Sequence, residues 1–548
     1  MYIEEELYKA FLEEMNALEM FRMTYASLHE SQSLDSEDPD IRRLIEALAL
    51  FSARARLAGS KNIKATRLKI FKQFFSYLIT PVPSMGILYA RINARLTEPT
   101  SLPQGTEIAV STEDGRTAIF TTLTSLRILP IYLNDVSMIS LSTRGYRFLL
   151  EFYSPFPRKE SIEEISLHIN YLNNFEASLK IQSLLKECLT NISVSFDKKI
   201  DETSLGQKCQ VTFGQIPSKE KSPAIFNPLE KERLFFHFPW QELFMTVSML
   251  DTATTWNRLY LYLDVNSAWP RSLVLSKDML QPFAVPIINL RQFNAEPIIC
   301  DGLKEKYLIR YPDQDYGFEL HSIRGVYEIT KEGLVPLVPE SLSFSNNSFD
   351  IEDSNRKTKD SIKLHYIKLN MPEAFKNPKT ISVDAFWFQP WFSTLLSHKL
   401  SVNLFTRNIS GVDWELHPDL VPHFRNPFLE DMEACLNLIT LVHKSILSKE
   451  DIIEILTALG ISKNNRFTKA CELLEDVKVQ KTAYGTKGVG QIKYIYWLRF
   501  SEYESSMYPI IKLFTLHLQN ILDTWISNAI VEVKIEGIDK NNISSSME

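Results

Sequence analysis

Lys487 stands among Gly485, Gly488 and Gly490 in the stretch YGTKGVG. A glycine-rich run around a lysine is one way for backbone amides to cradle a phosphate. That chemistry needs a strand before the run, a helix after it, and a Lys-Ser or Lys-Thr ending. Here the lysine precedes Gly488, and the next segment, QIKYIYWLRF, alternates as a strand does. The run therefore reads as a hairpin loop. Histidines offer no metal pattern either. His237 and His365 fall in strand-like runs, His417 and His423 flank a proline-rich bend, and no His-x-x-x-His or helical His/Glu pair occurs. Each reads as a hydrogen-bonded structural histidine. Cys188, Cys209, Cys300, Cys435 and Cys471 are scattered, none two to four residues from another, which excludes zinc spacing and favours reduced thiols. No Gly-x-Ser-x-Gly elbow is present, and no spacing pairs the carboxylates for acid–base work. The expectation is no catalytic residue, no metal and no cofactor.

Two further groups could bind rather than react. FWFQPWF (Phe386–Phe392) is a dense aromatic cluster with no basic residue nearer than Lys399, so it reads as core rather than a nucleic-acid stacking surface. Arg42, Arg43, Arg54 and Arg56 lie in DPDIRRLIEALALFSARARLAG. They could contact phosphate, but a solvated face, or pairing with carboxylates on a neighbouring helix, accounts for them as well. The acidic start of the chain, with Glu4, Glu5, Glu6, Glu13 and Glu14, is one such neighbour.

The elements that carry these groups are set by periodicity. Residues 1–30 read as a helix from Leu7, Phe11, Leu18, Phe21 and Tyr25. A second helix is expected from Asp38 as N-cap, with Pro39 in the first turn, to Gly59 as its left-handed end. About 20 residues at 1.5 Å each make a rod of roughly 30 Å. Ile41, Leu44, Leu48, Phe51, Ala55 and Ala58 form its apolar stripe, with Arg42, Arg43, Glu46 and Arg54 largely opposite; Leu50 and Leu57 fall outside the stripe, so more than one side of the rod wants cover. Burying such leucines and phenylalanines is worth roughly 1.5–3 kcal/mol each, against about 0–1 for an exposed ion pair. The apolar side should decide where the rod sits. A third helix is expected over about 63–79, ended by Pro81 and Pro83.

Strand texture then takes over. GTEIAVSTEDGRTAIFTT reads as a hairpin turning at Asp114-Gly115. YRFLLEFY, RLFFHFPW, NRLYLYLDV and RSLVLS read as strands, and residues 343–362 as a polar loop or linker. Helical period returns from about Pro427. With 548 residues, 45% hydrophobic and 23% charged, the chain is too long for one core. A net charge of −7 does not suit a phosphate-coating protein. No 18-residue apolar run suggests a membrane span, and the acidic N-terminus is unlike a signal peptide. The fold class is α+β and multidomain: an N-terminal helical region (1–85), a β-rich middle domain (86–280), a second β-rich domain with a Pro/Asn box (281–425), and a C-terminal α+β domain (426–548).

Several stretches together resemble one family. DPDIRRLIEALALFSARAR, PVPSMGILYARI, LPQGTEIAVSTEDGRTAIFTT and PFAVPIINLRQFNAEPI, the last continued by YLIRYPD and IRGVYEI, occur in the order found in the TssF (ImpG, VasA) family of type VI secretion baseplate components. LFTRN (Leu404–Asn408) stands where that family has a Cys-Thr-Asn-Arg stretch. The resemblance implies a cytoplasmic structural role in a baseplate docked at the inner-membrane complex. It implies a second copy of this chain and one TssG as partners, with TssK, TssE and the spike hub VgrG in the same baseplate, and no nucleic acid. It points to Ile41, Leu44, Leu48, Phe51, Ala55, Arg42, Arg43 and Arg54 as an interaction surface. In the box, Pro286, Asn289, Leu290, Ala295, Glu296 and Pro297 read either as a scaffold crossing between domains or as an ordinary buried strand, with Asn289 satisfying backbone groups at a bend. Two other readings stay open: a hydrolase-like enzyme using scattered serines and histidines, and a nucleic-acid-binding module built on the arginine-rich helix.

Overall fold

The computed structural model describes residues 2–28, 39–142, 145–159, 162–201, 206–216, 227–249, 255–340, 347–353, 364–395, 399–425, 432–461, 465–484 and 491–536. It is a mixed α+β chain with an N-terminal helical region and many sheets. Contacts divide it into two compact units: Met1–Ile79 with Pro427–Leu441, and Thr80–Asn426 with Val442–Glu548.

The first unit is helical: α1 (Tyr2–Leu28), α2 (Pro39–Ile79) and α5 (Met432–Leu441). Pro39 opens α2 and Asp40 lies in its first turn, as a fixed φ and the helix dipole favour. Gly59 does not end the helix. α2 runs on for 41 residues through the segment expected as a third helix. A mid-helix glycine costs only about 1 kcal/mol relative to alanine. With no proline before Pro81, each further turn gains its hydrogen bonds. The break comes at Phe75, with φ −132° and ψ 46°, where Phe71, Phe75 and Leu78 enter a buried cluster. α5 packs against α2 and buries Cys435, Leu438 and Leu441.

In the second unit a six-stranded sheet runs in the order Leu400–Leu404, Glu107–Thr112, Thr117–Thr122, Ala284–Ile288, Met85–Ile92, Val412–Leu416. The expected hairpin is its second and third strands, with Gly115 at φ 85° in the turn. A five-stranded sheet centred on Trp256–Val265 and a four-stranded one containing Phe244–Ser248 and Glu164–Ile169 share a continuous core with it. A second five-stranded sheet, built on Lys379–Phe388 and Glu319–Thr330, has its own core around Val383, Ile381 and Val326. α3 (Phe175–Cys188), α4 (Pro228–His237), α6 (Lys449–Ala458), α7 (Thr468–Leu473) and α8 (Tyr508–Trp525) complete the helices among the described residues.

Three expectations are corrected. RLFFHFPW is not a strand: its first part closes α4, which Asn227 caps through Leu229 N–H and Pro228 opens, and such a start overrides β-rich composition. RSLVLS forms no strand. Within the stretch expected as loop, Ser348–Asp353 pairs along its whole length with His365–Asn370, because Phe349 and Ile351 alternate into the second core. The glycine run around Lys487 lies outside the described residues. The strands on either side, Leu474–Tyr484 and Gln491–Phe500, pair antiparallel.

Candidate interaction surface and the buried crossing

The side of α2 covered within this chain carries Ala49 and Ala53, both fully buried, with Leu50 and Leu57 half-buried. Small side chains let α1 approach closely, and Ala10 is the buried residue on its side. Glu14 accepts from the Ser52 hydroxyl at 2.8 Å, and Arg56 pairs with Glu13 at 2.6 Å and Glu14 at 3.2 Å. The stripe expected to drive packing faces the other way, about two positions or roughly 200° around the helix. Leu44 is 61% exposed, Leu48 52% and Phe51 67%. Ala55 is exposed beside them; Ile41 lies in α2 with its side chain outside the described set. Arg42 pairs with Glu46 and Arg43 with Asp40 within α2, and Arg54 is exposed. Such surface pairs are worth about 1 kcal/mol or less. They leave the apolar stripe as the dominant feature.

On α1, Tyr8, Met20, Phe21, Met23 and Leu28 are exposed as well. Of the 29 exposed large apolar side chains among the described residues, 13 lie in α1 and α2. Single exposed apolar residues are ordinary, but such a concentration on two neighbouring helices makes them the candidate interaction surface.

The box lies in the second unit. Pro286 sits in the fully buried strand Ala284–Ile288. Its carbonyl accepts from Leu123 N–H, just past the end of the neighbouring strand at Thr122. N–H and C=O of one residue point the same way in an antiparallel ladder, so the donor that proline lacks would have faced Leu123, beyond the last residue of the Thr117–Thr122 strand, and the loss falls at the end of that ladder. Two residues later the chain changes sheets: Ile288 pairs in the six-stranded sheet and Arg291 pairs with Trp387 in the second five-stranded sheet. Asn289 occupies the crossing, 1% exposed. Its N–H donates to Ser84 O, its Nδ2 donates to Ile119 O at 2.8 Å and to Gln389 Oε1 at 3.1 Å, and its Oδ1 accepts from Gln389 N–H at 2.7 Å. Gln389, fully buried, also accepts from Ile119 N–H and donates to Tyr316 O. Leu290 is buried beside them, Ala295 is buried with its N–H on Val383 O, and Glu296 and Pro297 are exposed. Arg291 adds a second tie, bidentate to Glu107 at 2.6 and 3.1 Å and donating to Tyr311 Oη.

Sequence reasoning missed Gln389 and Glu107. Gln389 was visible as the one polar residue of FWFQPWF, whose Phe386, Trp387, Phe388 and Phe392 are buried. A polar residue in so apolar a run is itself a sign that it holds backbone.

The histidines form no metal-binding group among the described residues. His168 and His417 meet at 6.0 Å between ring centroids, with Tyr89 Oη 2.9 Å from His168 Nδ1 and Trp240 packed on His417. Burial pushes His168 down to about 3 and His417 to about 4, from 6.5. Both are neutral in the fold and must stay so. A folded-state value below the unfolded one means the unfolded chain binds protons first as pH falls. The stability these rings confer is complete above pH 6.5 and is lost on descending from there towards pH 3. At pH 5 each forfeits about 2 kcal/mol. The urea midpoint should therefore be clearly lower at pH 5.0 than at 7.5, and His168→Asn should flatten that dependence. Equal midpoints at the two pH values would contradict it.

No helix among the described residues is long and apolar enough to cross a membrane. Curated proteins give no match. Solved chains share the fold, two of them from type VI secretion baseplates. One, from a cryo-electron microscopy structure of the type VI secretion system TssK-TssF-TssG baseplate subcomplex, is 15% identical with a TM-score of 0.73, covering 90% of this chain and 96% of that one. The other, from the baseplate complex of the type VI secretion system, is 14% identical with a TM-score of 0.57, covering 96% of each chain. The family model for the type VI secretion system protein TssF matches residues 21–349, which include α2, the hairpin and the Asn289 crossing. The chain belongs to the TssF family of the type VI secretion system.

Proposed function

We propose that this chain is a structural baseplate subunit that works by assembly, with two copies joining one TssG in a wedge on which sheath and tube are built. The observation that carries this reading is the exposed apolar surface of α1 and α2, centred on Leu44, Leu48 and Phe51. Helices from other chains would cover it, and its fringe of Arg42, Arg43 and Arg54 would set register rather than supply affinity. Family membership and the TssK-TssF-TssG complexes that contain chains of this fold support it. TssK is then a neighbour in the same assembly, with TssE and VgrG further partners, in the cytoplasm beneath the inner-membrane complex. In this role residues 1–85 form the assembling region, while 86–280, 281–425 and 426–548 form the scaffold. The crossing at Asn289, tied by Gln389, Arg291 and Glu107, would make the two sheets it joins move as one body when the sheath contracts. No chemistry at a substrate is assigned.

Co-expression with TssG tests it. The expected product is a stable complex with a 2:1 mass ratio by native mass spectrometry. Free monomer alone, with both proteins soluble, would sink the proposal.

A further inference from the structure

α8 packs on α3 and α4 with an apolar face that includes Ile510, Phe514, Leu518, Ile521 and Leu522. A titratable side chain interrupts that face. His517 is 5% exposed, and its ring lies flat on Phe235 of α4, with centroids 3.3 Å apart and planes 7° apart. A buried carboxylate stands at each ring nitrogen. On one side, Glu232 of α4 lies 2.6 Å from Nδ1 and also accepts from Asn520 Nδ2 at 3.1 Å. On the other, Glu242 of the short turn Pro239–Glu242 holds its Oε1 3.9 Å from Nε2, too far for a hydrogen bond. Among the described residues His517 Nε2 has no hydrogen-bond partner. The turn itself is fixed: Gln182 Nε2 donates to Glu242 O, and a Cβ at Gly214 would come within 2.9 Å of Glu242 Oε2.

The tautomer explains the gap. Against a carboxylate, Nδ1 must donate its N–H. A neutral imidazole has one N–H, so Nε2 then turns its lone pair towards Glu242, acceptor against acceptor. One added proton, on Nε2 or on Glu242, makes the same two groups a donor and an acceptor. We infer that Glu242 and His517 form a one-proton clasp: uptake of a proton from solvent closes the gap into a hydrogen bond and tightens α8 against α4 and the Pro239–Glu242 turn. The clasp joins segments 285 positions apart in the chain, so its state sets how firmly α8 is held. Burial pushes the Glu242 carboxyl above its ordinary range, against the pull of His517, Lys186 of α3 and Lys231 of α4. A raised folded-state value gives a contribution that is complete below the ordinary carboxylate range and is lost as pH rises through the raised value. That sign is opposite to the one for His168 and His417. The remaining charges on the elements around α8 are accounted for. Glu187 of α3 pairs with Lys512 of α8 at 2.8 Å, and Glu532 on the strand Ile530–Ile535 pairs with Lys493 and Lys534. Lys469 and Glu472 of α7 are exposed, and burial pushes the Cys471 thiol up to about 12.

The test is hydrogen–deuterium exchange of the full-length chain, read by mass spectrometry on peptides covering Tyr508–Trp525 at pH 5.5 and 8.0 and corrected for chemical exchange rates. Glu242→Gln is run beside the wild type, because its amide donates to Nε2 at any pH and holds the clasp closed. His168 and His417 titrate alike in both proteins, so the ratio between them isolates the clasp. At pH 5.5 the two should protect α8 equally. At pH 8.0 the wild type should protect it about three- to tenfold less, within the limit of about tenfold per pH unit that one proton allows. His517→Gln, whose amide donates to Glu242, should remove the dependence in the same way. A ratio of wild type to variant that stays the same at the two pH values would overturn the inference. If neither variant yields folded protein, the wild type decides alone. Protection of α8 must then rise relative to the strand Trp256–Val265 between pH 8.0 and 5.5, and a fall or no change overturns the clasp.

Discussion

Replacing Leu48 or Phe51 by aspartate leaves the isolated chain folded and abolishes its assembly with TssG. Both side chains are more than half exposed in the free chain, so a carboxylate there meets water and costs the monomer almost nothing. Its melting temperature should shift by no more than about 2 °C, as for other surface substitutions. In an interface the same position is desolvated. Losing a buried leucine or phenylalanine forfeits roughly 1.5–3 kcal/mol, and burying an unpaired carboxylate adds at least as much again. A combined loss of about 3–5 kcal/mol weakens association by roughly 100- to 5,000-fold. Arg54→Ala, at the fringe, should cost under about 1 kcal/mol. Pull-down of TssG by each variant, beside thermal melts, separates the cases. A Leu48→Asp chain that captured TssG at wild-type yield would show that this face is not the assembly surface.

Asn289→Ala should destabilise the second unit by about 3–5 kcal/mol. The substitution removes two donors' worth of Nδ2 contacts and the acceptor of Gln389 N–H. It strands Ile119 O and Gln389 N–H in a buried junction, where each unsatisfied group costs about 1–3 kcal/mol. For a unit this large that corresponds to a fall in melting temperature of roughly 3–5 °C, at about 1 °C per kcal/mol. Asn289→Asp keeps the acceptor and the shape but cannot donate to Ile119 O, so it should be no better than alanine. Because Asn289 and Gln389 share their partners, Asn289→Ala/Gln389→Ala should cost less than the two single losses added together. Calorimetry of the four proteins checks this. A shift under 2 °C for Asn289→Ala, or strict additivity, would mean that the network is not what holds the crossing.

Much of the fold was legible because helix and strand periods are local. α1, the Asp114-Gly115 hairpin and the alternating strands were visible in their own residues. α4 was misread because RLFFHFPW looks like a strand until Asn227 and Pro228 are taken as a helix start. Gly59 was misread for a related reason. Glycine permits a helix to stop but does not compel it, and the residues C-terminal to Gly59 keep the helix going.

The residues by themselves determined most of the elements and the ordered stretches that mark the TssF family. Only the tertiary structure decided which side of α2 the chain covers for itself. Leu44, Leu48 and Phe51 carry the larger transfer energy, yet the Ala49–Ala53 side is the one covered, where small residues let the neighbouring helix approach closely. Likewise nothing in the neighbourhood of Asn289 announces Gln389, 100 positions away. Their meeting depends on two sheets coming together, and periodicity carries no information about contacts so distant along the chain.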